Sequence, residues 1–264
     1  MTIPDLQRFT TFDLERPRTN HDVIHPGHVP PGYSYVLHRH HGPASERRTS
    51  AAGVVTTSEH AGTHIDAFSH QALDLKLYGD RSALEAQTSF GFRELGIDTL
   101  PPLLCRGVLI DLARHRGEPV DPGRWIALDE VREAAEAQGV TPREGDVALI
   151  RTGNGAAWSD HERYLRGSGM SADVSTWLAD QGVRAVGADN VAWDWTGEPC
   201  PKLGVTLPGH VILLVQRGVS ILENLDLEGL AGSGASEFLF IGVPLKLVGA
   251  TASPIRPLAL VPPS

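Results

Sequence analysis

From residue 106 onward the chain alternates apolar strand-like runs with helix-like segments, and this rhythm restricts its fold more than any other feature. RGVLIDL at 106–112 reads as a buried strand, and ALDEVREAAEAQG at 127–139 as a helix with Val131, Ala134, Ala135 and Ala137 inward and Gly139 as its stop. DVALIRT at 146–152 is a second strand, SADVSTWLADQG at 171–182 a helix capped by Ser171 and ended by Gly182, and VRAVGAD at 183–189 the next strand. VILLV at 211–215 suits either state, but Pro208 sits where a first helical turn tolerates proline and Gly218 where a helix ends, so 208–218 is read as a helix. VSILEN at 219–224 and EFLFIGVPLKL at 237–247 supply two more strands, and a proline-rich tail from Pro254 to Ser264 closes the chain. Such alternation builds an α/β domain, a parallel or mixed sheet flanked by helices. No fixed-period repeat or low-complexity linker divides the chain, so residues 1–264 are expected to form a single domain.

The first 60 residues break the rhythm: HPGHVPPGY at 25–33 and HRHHGP at 38–43 argue for turns and loops, and AGVVTT at 52–57 for a strand. Charge excludes several classes of partner. With 23 Lys and Arg against 32 Asp and Glu the net charge is −9, and no basic run beyond Arg47-Arg48 offers a footprint for nucleic acid or anionic lipid. The N-terminal residues carry no signal-peptide pattern, and apolar runs such as VILLV and FLFIGV at 238–243 fall far short of the roughly 20 residues a bilayer requires. Cys105 and Cys200 form no CxxC pair. A cytoplasmic protein is expected, without a membrane span.

Histidine is the unusual component, 12 residues against 2 cysteines. In HAGTHIDAFSH at 60–70 the candidate ligands are His60, His64, Asp66 and His70. Gly62, Thr63 and Ile65 argue against a helix there. In an extended chain residues of equal parity point one way, and these four are all even, with Gly62 leaving room for an ion. Two imidazoles and a carboxylate make a half-shell for a divalent metal with positions open to water and substrate. Ala61 stands where an HExxH motif has its general-base Glu, so the base must come from elsewhere, and His70 is the obvious candidate. His210, in the first turn of its helix, should be kept neutral by the positive end of the dipole. Glu223 ends an apolar strand and needs a partner, and Asp189, also at a strand end, either serves the site or orients a loop.

HAGTHID followed by His70 resembles the signature of the cyclase family of metal-dependent hydrolases, which includes bacterial kynurenine formamidases, isatin hydrolases and trans-dienelactone hydrolases. Further landmarks run in family order: FDL at 12–14, RTG at 151–153, GAD at 187–189, His210 ahead of Leu213-Leu214, LEN at 222–224, PLKL at 244–247 and SPIR at 253–256. The resemblance implies that His60, His64 and Asp66 bind a first metal ion, Zn2+ or Mn2+, and that His70 is the catalytic acid/base. It also implies that His210 and Glu223 join Asp66 around a second zinc in two-metal members. The implied fold is a swivelling β/β/α arrangement, usually a homo-oligomer, dimer or tetramer, whose site is partly closed by a neighbouring subunit. The implied reaction is hydrolysis of a small-molecule amide, lactone or formamide by metal-activated water. Phe68, Trp158, Trp193 and Trp195 are candidate aromatic walls for the substrate.

Kynurenine formamidases commonly carry Pro two residues after the metal Asp, where this chain has Phe68, and they are usually shorter. The extra length at 113–145 and 190–209 and GNGAAW at 153–158 looks closer to longer members acting on cyclic amides or lactones. Two other classes fit some of the same residues. HxD at 64–66 with His210 imitates the facial triad of a non-haem iron oxygenase, which leaves His60 and His70 unexplained, and a non-catalytic metal-binding protein predicts a closed four-ligand site. Arg39, His40 and His41 are read as a solvated loop.

Overall fold

The computed structural model describes residues 5–20, 24–28, 30–43 and 46–263. Its strands are β1 (Thr10–Asp13), β2 (Tyr33–Arg39), β3 (Ala52–Thr57), β4 (His64–Asp66), β5 (Leu103–Asp111), β6 (Val147–Arg151), β7 (Ala185–Ala188), β8 (Ser220–Glu223), β9 (Glu237–Gly242), β10 (Ala252–Pro254) and β11 (Leu258–Val261), besides two-residue pairs. Nine of these form one mixed sheet in the order β1-β11-β9-β5-β6-β7-β8-β4-β10. Its centre, β5 to β8, is parallel, and the flanking strands run antiparallel. The expected α/β class, a mixed sheet flanked by helices, is the architecture found.

Parallel strands buried on both faces read as unbroken apolar runs, and the two faces hold two cores. On one, Val108, Ile110, Ala148, Ile150, Val186 and Ile221 meet three of the helices in the connections between the parallel strands. These are α1 (Leu128–Ala137), α2 (Ala172–Asp180) and α3, which is one α-turn at Pro208–His210 continued as a π-helix over Val211–Arg217. On the other face, Leu109, Leu149 and Leu222 pack with Phe238 and Phe240, and with Leu14 and Ile65 from opposite ends of the strand order. Bringing both into one cluster requires the sheet to curl. Gly187 in β7 is held by the same packing, since a Cβ there would meet Leu225 Cδ1 at 2.8 Å.

Several local expectations need correction. Ala137 is exposed, because α1 turns it past the sheet, while Val131, Ala134 and Ala135 are buried as expected. Ser171 precedes α2, but its hydroxyl makes no capping bond. The strand expected over 237–247 stops at Gly242, ahead of Pro244, which has no N–H to donate. The proline-rich tail is not a simple closure: β10 and β11 both lie in it or at its border and complete the sheet. The early loop region holds the β2–β3 hairpin, which stands outside the main sheet.

Candidate metal centre

The site lies at the carboxyl ends of the parallel strands, where open α/β sheets hold their ligands. Glu223 closes β8 and pairs across the ladder with His64, the first residue of antiparallel β4, so the two side chains share a face. Asp66 has the same parity as His64 and pairs with Ala252 of β10. Equal parity therefore governs His64 and Asp66, but not His60 or His70, which lie outside the strand. His60 arrives through a tight turn, and His70 through a turn in which its N–H donates to Ala67 O at 3.0 Å.

Gly62 serves that turn. Its φ of 58° is left-handed, which favours glycine. In this conformation its carbonyl accepts from both His64 Nδ1 at 2.8 Å and Asn224 Nδ2 at 2.9 Å. Arg18 clamps the same loop by donating to the carbonyls of Ala61, at 2.6 Å, and Thr63. Thr63 Oγ1 donates to Asn224 O at 2.8 Å.

All six predicted residues converge. Ligand-capable atoms of His60, His64 and Asp66 lie within 4.8 Å of one another, and so do those of Asp66, His70 and His210. Asp66 Oδ1 is 3.1 Å from His60 Nδ1 and 3.5 Å from His64 Nε2, and Asp66 Oδ2 is 3.6 Å from His210 Nε2. Glu223 sits 3.3 Å from His64 Nε2 and 3.4 Å from His210 Nε2. Despite these approaches, both Asp66 oxygens and Glu223 Oε1 are buried without a hydrogen bond. Buried carboxylate oxygens are costly when unsatisfied. Their lone pairs and those of the imidazoles converge on a common space instead of pairing with one another, which is the arrangement a cation would satisfy.

The far sides of three imidazoles in this cluster are held. His64 Nδ1 bonds Gly62 O, His210 Nδ1 bonds Asp194 Oδ2 at 2.8 Å, and His60 Nε2 bonds Thr251 Oγ1 at 3.0 Å. Metal-binding histidines characteristically have such an outer partner fixing tautomer and ring plane. His70 differs, because its ring nitrogens make no hydrogen bond among the described residues; its ring lies 4.1 Å from that of His60 and 5.8 Å from that of His210.

Burial and neighbouring charge set the protonation. Burial drives His60 down to about 2 and His70 down to about 3, so both are neutral imidazoles at ordinary pH. Burial opposes charge on His210 too, but the bond to Asp194 and the Glu223 carboxylate outweigh it and hold the group well above the usual imidazole range. This reverses the expectation drawn from the helix dipole: two full negative charges in contact exceed a partial positive one. His64 is raised in the same way: burial opposes its charge, and the nearby Glu223 and Asp66 carboxylates together outweigh it. Burial raises Asp66.

Asp189 lines no part of this cluster. Its carboxylate accepts from the N–H groups of Thr152, Gly153 and Gly155 and from Thr152 Oγ1, so it shapes the loop after β6. The aromatic candidates have other duties: Trp193 is core and donates to Ser175 Oγ, Trp158 packs under Arg16, Trp195 meets Trp125, and Phe68 meets Tyr78. A cavity of about 480 Å³ opens beside His60 and His70, and its other walls are largely polar, with His28, Thr57, Glu59 and Thr251 among them.

Sequence reasoning missed four contributors. His28 stacks on His60 with centroids 4.4 Å apart and planes 5° apart, and His25 lies 6.1 Å from His28, so two histidines assigned to remote loops belong beside the site. An isolated bridge between Ile24 and Ala61 brings them there, and no local pattern announces it. Asp194 and Thr251 are likewise distant in sequence. His40 and His41 are solvent-exposed, as expected of a loop, whereas Arg39 is the last residue of β2.

The family model described as "Putative cyclase" matches residues 10–195. A kynurenine formamidase of Bordetella avium (strain 197N) is 28% identical over 207 residues, covering 76% of this chain and 77% of the relative. Among solved structures, a novel cyclase superposes with a TM-score of 0.85 at 28% identity, covering 96% of this chain and 87% of its own. An isatin hydrolase bound to the product analogue thioisatinate superposes with a TM-score of 0.74 at 20% identity, covering 97% and 94%, a likeness of fold. The chain belongs to the cyclase family.

Proposed function

We propose that this protein is a metal-dependent hydrolase that opens a cyclic amide or lactone, or cleaves an aryl formamide. The relatives carry the reaction class: a kynurenine formamidase cleaves a formamide and an isatin hydrolase a cyclic amide. The observation that carries the metal is Asp66, whose two buried oxygens lack hydrogen bonds among three imidazoles oriented from behind. His60, His64 and Asp66 would hold one divalent ion, and Asp66, His210 and Glu223 a second. Nitrogen and carboxylate donors of this kind suit Zn2+ or Mn2+. A bound ion supplies Lewis acidity toward the scissile carbonyl and a water of lowered pKa.

The chain's own groups do the rest. His70 is the catalytic acid/base: its neutral ring borders both the ligand cluster and the cavity, free to take a proton from water and pass it to the leaving nitrogen or oxygen. Burial around Asp66 and His64 excludes bulk water from that exchange. The cavity admits a small molecule of one or two rings.

We read residues 1–264 as one domain, since strands from both ends complete a single sheet. A homo-oligomer, dimer or tetramer, is supported by the β2–β3 hairpin, where Val36, Val54 and Val55 are more than half exposed on a two-stranded unit that is marginal alone in water. No helix among the described residues is long and apolar enough to cross a membrane. The two free cysteines suit the reducing cytoplasm. His60→Ala tests the reading: it should lose both bound metal and hydrolysis of isatin, dienelactones and formylkynurenine, and a variant keeping both refutes it.

A further inference from the structure

Glu59 and Thr251 form a relay behind His60. Thr251 Oγ1 donates to Glu59 Oε1 at 2.5 Å, and Thr251 N donates to Glu59 Oε2 at 3.2 Å, so the carboxylate grips the threonine through both oxygens. A hydroxyl has one proton, and a carboxylate has only lone pairs to offer. With that proton committed to Glu59, Thr251 Oγ1 presents only lone pairs to His60 Nε2, 3.0 Å away. The contact closes only when Nε2 carries the ring proton. His60 Nδ1 then keeps its lone pair and faces Asp66 Oδ1 at 3.1 Å. Thr251 is also tied to the ligand strand, because Ala67 N donates to its carbonyl at 2.9 Å.

We infer that Glu59 and Thr251 are positioning residues that fix the tautomer and ring plane of His60 for metal binding, a role that rests on His60 being a ligand. The device differs from those at His64, held by a backbone carbonyl, and His210, held directly by a carboxylate. At His60 the carboxylate acts through a hydroxyl, and that hydroxyl can be removed without moving either charged group.

The experiment is a chelator-competition titration of Zn2+ against the full-length wild type, Thr251→Val and Thr251→Ser, with the absorption spectrum of the Co2+-loaded proteins as a second readout. Thr251→Val keeps the shape and removes the relay, so Zn2+ affinity should fall about 10–100-fold and the Co2+ bands should shift. Thr251→Ser restores the hydroxyl and should recover wild-type affinity and spectrum. Equal losses in the two variants would reduce Thr251 to packing and overturn the inference, as would wild-type affinity in both. If Thr251→Val fails to fold, Glu59→Ala serves instead: it frees the hydroxyl proton to turn toward the ring, and unchanged affinity there overturns the relay. A wild type that binds no Zn2+ brings down the metal-centre reading as well, which separates that failure from failure of the relay alone.

Discussion

Asp66→Asn should change stability in opposite directions with and without metal. The side chain is 1% exposed, has three imidazole nitrogens within 3.1–3.6 Å, and makes no hydrogen bond at either oxygen. In metal-free protein that carboxylate is a liability, since an unsatisfied buried polar group costs about 1–3 kcal/mol. Asparagine keeps the shape and removes the charge, so the chelator-treated variant should melt at or above the wild-type temperature. With metal the order reverses. An ion at a hundred times its dissociation constant stabilises the wild-type fold by about 2.7 kcal/mol. For a chain of this size each kcal/mol moves Tm by about 2–4 °C, so adding metal should raise the wild type by roughly 5–10 °C. The variant, lacking a shared ligand of both proposed ions, should move little. Differential scanning fluorimetry with chelator and with Zn2+ or Mn2+ reads both arms. A variant that retains the full metal-dependent rise would refute the reasoning.

Metal uptake should release protons. In the metal-free site burial opposes charge on His64 and His210, but the neighbouring carboxylates outweigh it and raise both, so these imidazoles hold their protons to higher pH than a free imidazole does. Their contribution to metal-free stability is fully present below the unfolded pKa of about 6.5 and is lost as pH rises through the raised folded values. An ion must displace the same protons, so affinity should fall as pH falls; calorimetry in buffers of different ionisation enthalpy should show net release, and uptake without release contradicts the protonation described. Asp194→Asn should weaken metal binding about 10–100-fold by disturbing the tautomer of His210, and it strains the turn in which Asp194 also accepts from Gly209 N and His210 N; chelator competition and thermal melting measure the two effects separately.

Local patterning made the sheet's centre legible. β5 to β8 and the helices between them follow from apolar runs closed by Gly139, Gly182 and Gly218, each in the left-handed conformation. VILLV was ambiguous by pattern, and its proline and glycine brackets decided correctly for a helix, although its π geometry is set by packing. Among the flanking strands β9 was legible as an apolar run, but β10 and β11 were not. β10 and β11 look like a proline-rich tail because their pairing partners are far away in sequence. The candidate site divides in the same way. HAGTHID carries chemistry on neighbouring residues and could be read directly, and the family resemblance brought in His210 and Glu223. His28, Asp194 and Thr251 reach the site through a bridge, a helix start and a strand border, contacts that no single stretch of sequence encodes. None of the four aromatic candidates lines the cavity beside His60 and His70, because tertiary packing sets Trp193 in the core and Trp195 against Trp125.

The central claim is that this ring of imidazoles and carboxylates holds an ion that drives hydrolysis. It is tested most directly by turnover of isatin, dienelactones and formylkynurenine under strictly anaerobic conditions, before and after chelation and after reloading. Turnover of at least one substrate without oxygen, abolished by the chelator and restored by Zn2+ or Mn2+, is the predicted result. Turnover that needs oxygen, as a non-haem iron oxygenase would, or that persists in metal-free protein, would contradict it.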